Sequence, residues 1–372
     1  MAWRLGGFLN SLSRAQLALL TLSVQNTFLV IVMKFSRIEK DKEEDKYISS
    51  TAVFFAEIFK LIFSYILHLI DYRGKGVNYY EATKLCLNSS SWQTAIPAII
   101  YTLQNSLQYV AVSNLDVTTF QVSYQLKILT TAFFTIFILR RTITQRQWIA
   151  LCILTLGVAS LYLPNPFQAP DPSQVAIAEL SNDSKNRFVG LVSVLVACFL
   201  SGLAGVYFEK ILKGSPRTVW ERNTELALFS IITAGVFGVW LKDGKVISEK
   251  GILHGYTLTT WLTILVQASG GPIVAVVIKY ADNVLKGFAT SISIILSAIL
   301  SVFLFPQDTF TISIVIGSSL VIYSTYLYSK KDSKPDTDEG RETLYTAVDL
   351  ENDEDDQIPL GTKNSSNGNQ VS

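Results

Sequence analysis

The sequence predicts an all-α membrane protein of ten transmembrane helices, and three observations carry that expectation. Of 372 residues, 49% are hydrophobic and only 16% charged, whereas soluble domains carry about 25% charged residues. Apolar runs of roughly 20 residues, enough to cross a hydrocarbon core of about 30 Å, recur along the chain. Within these runs the polar residues are mainly amides, tyrosines and lysines, costly in lipid unless they face a polar cavity or each other.

Taken in order, Ala15–Met33 carries no charge, and Tyr47–Ile70 holds Glu57 and Lys60. Gln93–Leu115 is uncharged, and Val117–Leu139 contains only Lys127. Gln147–Leu163 is short and uncharged, as is the longer Phe188–Phe208. Val219–Leu241 opens on a charged turn with Glu221, Arg222 and Glu225. Gly255–Ile278, Gly287–Gln307 and Thr309–Ser329 complete the set without a charge. Connections are mostly short, so sequential helices should run antiparallel. The polar stretch Pro164–Asn186 divides a ten-helix domain (14–329) into halves of about 14–163 and 187–329. Residues 1–13 precede it, and 330–372 form a polar, acidic tail with too few apolar residues to fold alone.

AVSNLDVTTF, before the fourth segment, resembles VIKYADNVLKGF, before the ninth, and the halves end in SLYL and STYLY. This faint repeat fits a parallel or inverted five-helix duplication. Lysines and arginines concentrate on the side shared by both termini, from Arg73, Lys75 and Lys84 through Arg140, Arg141, Lys210, Lys213 and Arg217 to Lys330. That bias predicts cytosolic termini, with the sequon at Asn182 luminal and those at Asn88 and Asn364 cytosolic. The first residues lack the features of a cleavable signal.

The net charge of +1 gives no bulk attraction to nucleic acid. Cys86, Cys152 and Cys198 have no metal-type spacing, and two histidines cannot make a His-rich centre. No Walker loop, nucleophile elbow or HExxH motif is present. No cofactor, metal or enzymatic activity is therefore expected.

The polar residues of the membrane segments carry the chemistry. Lys127, mid-helix, costs at least about 2.5–3.5 kcal/mol to insert and is too deep to snorkel easily. Gln121 and Tyr124 precede it by six and three residues, on much the same helix face. Tyr101, Gln104, Asn105 and Gln108 form a stripe on the preceding helix. Four such positions, facing Gln121 and Gln125, exceed what interhelical adhesion needs, and amides and tyrosines suit a nucleobase and ribose. Glu57 and Lys60, at i,i+3, read as an intrahelical ion pair, as a site, or as both. Ala197, Ser201 and Gly205 repeat every four residues, a close-packing face. Gly270, Gly271 and Pro272 mark either a hinge or a packing notch. Lys279, Asp282, Asn283 and Lys286 flank the turn before the ninth segment, as interfacial charges or as a cationic mouth for a phosphate. Together these residues describe a carrier for a polar, anionic solute.

They also carry a family resemblance. TAVFFAEIFKL (Thr51–Leu61), the run from Tyr101 to Ala132, SGLAGVYFEKILK (Ser201–Lys213) and KYADNVLKGFATSISIILS (Lys279–Ser297) resemble the nucleotide-sugar transporters that carry CMP-sialic acid, UDP-galactose and UDP-N-acetylglucosamine. The resemblance extends from about Arg14 to Lys330. It implies a drug/metabolite-transporter fold with a five-plus-five pseudo-repeat, in a multi-pass Golgi membrane protein with cytosolic termini. It implies exchange of a cytosolic nucleotide sugar for luminal nucleoside monophosphate. Tyr101, Gln104, Asn105, Gln121, Tyr124 and Lys127 match the nucleotide pocket, and Lys60, Lys279 and Lys286 match lysines associated with phosphates. In WERNTELALFS, Asn223 matches the family pattern, but Glu225 stands where relatives usually have glutamine; there it would repel a phosphate or accept from sugar hydroxyls. Ala227 is small, as in UDP-sugar carriers.

The expected function is UDP-galactose import against UMP, with UDP-N-acetylglucosamine the alternative cargo. The expected partners are UDP-sugar, UMP and the lipid bilayer, with a homo-oligomer or a glycosyltransferase as protein partners. A non-transporting scaffold that recruits glycosyltransferases is the rival reading.

Overall fold

The computed structural model describes residues 13–38, 47–86, 91–115, 117–162, 186–305 and 312–330. Contacts gather Met1–Tyr328 into one compact unit and leave Ser329–Ser372 as another. Most of the acidic tail, the three sequons and nearly all of Pro164–Asn186 lie outside the described residues.

The regular structure of the described residues is all helical, without strands. α1 (Arg14–Ile38) and α2 (Ser49–Gly74) are long spans, followed by the short α3 (Tyr79–Cys86) and by α4 (Trp92–Asn114). α5 (Val117–Tyr124) and α6 (Lys127–Leu139) follow, then α7 (Gln145–Ser160) and α8 (Arg187–Lys213). α9 (Val219–Thr233) continues as a π-helical stretch over Ala234–Lys242, and α10 (Gly244–Lys250) turns the chain. α11 (Leu258–Tyr280), α12 (Asn283–Leu304) and α13 (Ile312–Ser329) complete the bundle.

Eight spans among the described residues are long and apolar enough to cross a membrane, with α5–α6 and α9 plus its π stretch each forming one. The other two expected segments are helical but depart from that pattern: α4 has 23 residues and a polar stripe, and α7 has only 16 residues. Helix starts follow local chemistry. Thr144 and Thr218 form capping boxes with Gln147 and Glu221. Asn186 and Asp282 cap α8 and α12 by accepting from Val189 N and Leu285 N.

Two expectations about helix continuity change. Val117–Leu139 reads as one helix, but it breaks at Gln125–Leu126. There the Gln125 and Leu126 amides bond back only three residues, to Val122 and Ser123. The Cys198 thiol faces the carbonyls of Ser123 and Tyr124, at 3.7 and 3.5 Å, so the loosened turn keeps polar partners. Conversely, α11 runs unbroken through Gly270, Gly271 and Pro272. These glycines are notches. A methyl at Gly270 would lie 3.0 Å from Gln25 Nε2, and one at Gly271 would lie 2.7 Å from Lys60 Cγ.

The chain halves interlock. α8 packs along α4 and α6, whereas α1 packs along α11 and α12, and α2 along α9 and α11. Two helix groups result: α4, α5, α6 and α8 on one side, and α1, α2, α9, α11 and α12 on the other. Small residues allow the close approaches. Ala197 is fully buried, a methyl at Gly202 would meet the Thr130 carbonyl carbon at 2.8 Å, and Gly205 sits against the Asn283 side chain. The expected close-packing face on α8 is thus present at Ala197 and Gly205, with Gly202 beside it. The α4–α5 turn lies by Gly190 at the start of α8, and the α11–α12 turn lies by Gly205 and Glu209 near its end. The two similar segments therefore stand at opposite ends of the bundle, as an inverted duplication would place them.

Candidate substrate cavity

A cavity of about 990 Å³ lies between the two helix groups. α2 brings Glu57 and Lys60, α4 brings Tyr101, Thr102, Asn105 and Gln108, α9 brings Asn223 and Ser230, and α11 brings Gln267 and Gly271. Apolar side chains such as Phe120, Phe208, Leu226 and Phe237 fill the rest of the wall. Small-molecule sites span about 300–1,000 Å³ and mix an apolar lining with a few placed polar groups.

Lys60 and Glu57 form an ion pair on the α2 face. Their side chains are mostly buried, at 14% and 21% exposure, and each charge neutralises the other. The lysine stem lies in the notch left by Gly271. Asn223 is held by its Nδ2, which donates to Ser64 Oγ at 2.5 Å.

Lys127 and Lys286 line a second, smaller space of about 100 Å³ between α6, α8 and α12, with Gln125, Ser201, Asn283 and Thr290. Lys127 Nζ lies 4.4 Å from the centre of the Tyr124 ring, a cation–π contact that offsets part of the cost of a buried ammonium. Lys127 opens α6, directly after the broken turn. Tyr124 stacks on Phe120, with centroids 5.6 Å apart, and its hydroxyl accepts from Gln104 Nε2 at 2.9 Å. The Gln104–Tyr124 pair therefore stands behind the wall formed by Tyr101, Asn105 and Phe120.

The predicted residues divide as follows. Lys60, Tyr101, Asn105 and Asn223 share the large cavity, and Lys127 and Lys286 share the small one. Gln121 lines neither; its carbonyl accepts from Gln125 Nε2 at 3.2 Å. Lys279 lines neither; its charge interacts with those of Lys75 and Asp71, near the end of α2. Glu225 is fully buried, and both of its oxygens are occupied by Arg217, Arg222, Ser91 and Thr94. It therefore stands in an ion cluster beyond the cavity, with no oxygen left for a sugar hydroxyl. Ser230, Thr233 and Gln267 line the cavity without having been singled out. Ser230 and Gln267 lie in otherwise apolar runs, a faint signal for a polar wall; Thr233 opens onto the π stretch, which no sequence pattern announces.

Comparison with known proteins agrees with this architecture. The nucleotide-sugar transporter family matches residues 11–329. The UDP-galactose transporter of Schizosaccharomyces pombe is 42% identical over 327 residues, covering 87% of this chain and 90% of that one. The human UDP-N-acetylglucosamine transporter is 46% identical over 315 residues, covering 84% of this chain and 93% of that one. A crystal structure at 12% identity shares the fold, with a TM-score of 0.60 over 85% of this chain and 98% of that one. The chain belongs to the nucleotide-sugar transporter family.

Proposed function

We propose that this transporter imports UDP-galactose into the Golgi lumen in exchange for UMP, with both termini in the cytosol. The observation that carries the reading is the cavity of about 990 Å³, with the Glu57–Lys60 pair on one wall and Tyr101 and Asn105 on another. With three donors, the Lys60 ammonium can bond a phosphate oxygen while keeping its contact with Glu57. Tyrosine and asparagine offer both donors and acceptors to uracil and ribose. The UMP formed after luminal glycosyl transfer would return through the same cavity as counter-substrate, and the exit of UMP would drive import.

Lys127 and Lys286 lie apart from the main cavity, across the joint between the helix groups. In this reading they meet the phosphates when the groups rock, and the break at Gln125–Leu126 lets α5 move relative to α6. UDP-N-acetylglucosamine is the second candidate cargo, because the human carrier of that name is 46% identical, against 42% for the UDP-galactose transporter of Schizosaccharomyces pombe.

The test is uptake by purified protein in liposomes preloaded with UMP, comparing labelled UDP-galactose, UDP-N-acetylglucosamine and CMP-sialic acid. Uptake of UDP-galactose that depends on internal UMP is expected. Uptake confined to another nucleotide sugar, or independent of UMP, would overturn the assignment.

A further inference from the structure

The cavity stops short of one end of the bundle. Its lining runs from Ser50, Val112 and Lys242 at one end to Phe208, Asn223 and Ile278 at the other. Beyond the second end, two carboxylates that do not line the cavity join the helix groups. Glu225 of α9 is 0% exposed and accepts from Ser91 Oγ at 2.6 Å, at the start of α4; Thr94 Oγ1, which donates to the Ser91 carbonyl at 2.6 Å, lies 3.3 Å from its other oxygen. Glu209 of α8 is also 0% exposed and accepts from the Asn283 amide of α12 at 3.0 Å.

The cations that neutralise these acids come from the acid's own side of the joint. Arg217 and Arg222 serve Glu225, the latter at 3.1 Å. Lys213, one turn along α8, lies 3.0 Å from Glu209, and Arg141, just after α6, lies 3.1 Å from it. What crosses the joint at these acids is mainly hydrogen bonds from Ser91 and Asn283, the longer contact of Thr94, and one hydrogen bond from Lys213 to the Ala281 carbonyl at 2.5 Å. Arg141 also reaches Asp282, at 3.7 Å. Parting the groups would thus exchange these hydrogen bonds and the Arg141–Asp282 contact for water while leaving Glu209 and Glu225 with their cations. Hydrogen-bond exchange is a small step compared with separating a buried ion pair.

We infer that Glu209 and Glu225 are paired latches that hold this end of the bundle shut while the cavity is open at the other. The inference rests on the transport reading above, in which the two ends open in turn.

The test places spin labels at exposed Arg73, at the end of α2, and exposed Lys210, on α8. The full-length chain, with its native cysteines replaced, is held in lipid nanodiscs without substrate. Each label lies in a different helix group at the latched end. The double variant Ser91→Ala, Thr94→Val removes the α4 donors and leaves both acids with their cations. It should raise the ratio of long- to short-distance populations roughly five- to tenfold, the effect of about one lost hydrogen bond. Glu209→Gln should shift the distances in the same direction. Distances unchanged in the folded double variant would overturn the latch, even if Glu209→Gln fails to fold. No substrate is present, so the result is independent of which nucleotide sugar is carried.

Discussion

Replacing Gly271 with alanine should remove much of the affinity for the nucleotide sugar at a modest cost in stability. The added methyl would lie 2.7 Å from Lys60 Cγ, closer still to Cδ, and 3.7 Å from Cε. The α11 backbone cannot yield, because Pro272 and Ala275 beside it are buried. The lysine stem is the movable partner, so Lys60 leaves its notch and its contact with Glu57. Displacing it costs about 0.5–1.5 kcal/mol in an unfavourable rotamer and weakens the mostly buried pair with Glu57, offset in part by the gain of about 0.5–1 kcal/mol for alanine over glycine within a helix. A charge-assisted hydrogen bond from Lys60 to a phosphate is worth about 1.5–3 kcal/mol. Its loss should weaken UMP and UDP-sugar binding roughly 10- to 100-fold, since about 1.4 kcal/mol is a factor of ten. The assay pairs UMP-dependent thermal shift with the KM of exchange in liposomes. Lys60→Met should give a similar loss, and adding Gly271→Ala to it should change little more, because both act on one contact. A KM within twofold of wild type in folded Gly271→Ala protein would refute the placement of Lys60 at the phosphates. So would additive losses in the double variant.

Lys127→Ala should abolish UMP-driven exchange while the protein folds and reaches its membrane, as size-exclusion profile and uptake would show. Tyr124→Phe removes the acceptor for Gln104 Nε2. Because Gln104 is buried, the variant should lose about 1–3 kcal/mol of stability, read as a lower melting temperature in detergent. Gly205→Ala would place a methyl 2.9 Å from Asn283 Cγ and 3.0 Å from its Oδ1. It should destabilise by about 1–3 kcal/mol through overpacking between α8 and α12, and a melting temperature equal to wild type would show that Asn283 can turn away.

Some of the site is legible in the sequence because it depends on neighbours along one helix. Glu57 and Lys60 pair at i,i+3 as expected. Tyr101, Asn105 and Gln108 recur at helical spacing and reach the same cavity. Lys127, a charge in an apolar run, does face a polar space. Glu225 shows where such reading stops. Its partners Ser91 and Thr94 are more than a hundred residues away, so nothing near it in the chain tells a latch from a ligand. Gln104 lies on the predicted stripe, yet its amide is taken up by Tyr124 rather than presented to the cavity.

Hydrophobic periodicity and composition by themselves determine that the chain is a bundle of membrane helices, where most of them lie, and which carry polar faces. Those properties follow from the cost of exposing backbone and charge to lipid, which each segment meets alone. The tertiary structure decides what depends on which helices become neighbours. It interlocks the two chain halves through α8 and α1, turns the Gly270–Gly271–Pro272 run into notches instead of a hinge, and breaks the fourth span at Gln125–Leu126. It also separates Lys60 from Lys127 and Lys286 into two spaces. The physical reason is that a side chain's polar partner in a membrane interior must come from another helix, and the identity of that helix is a property of packing.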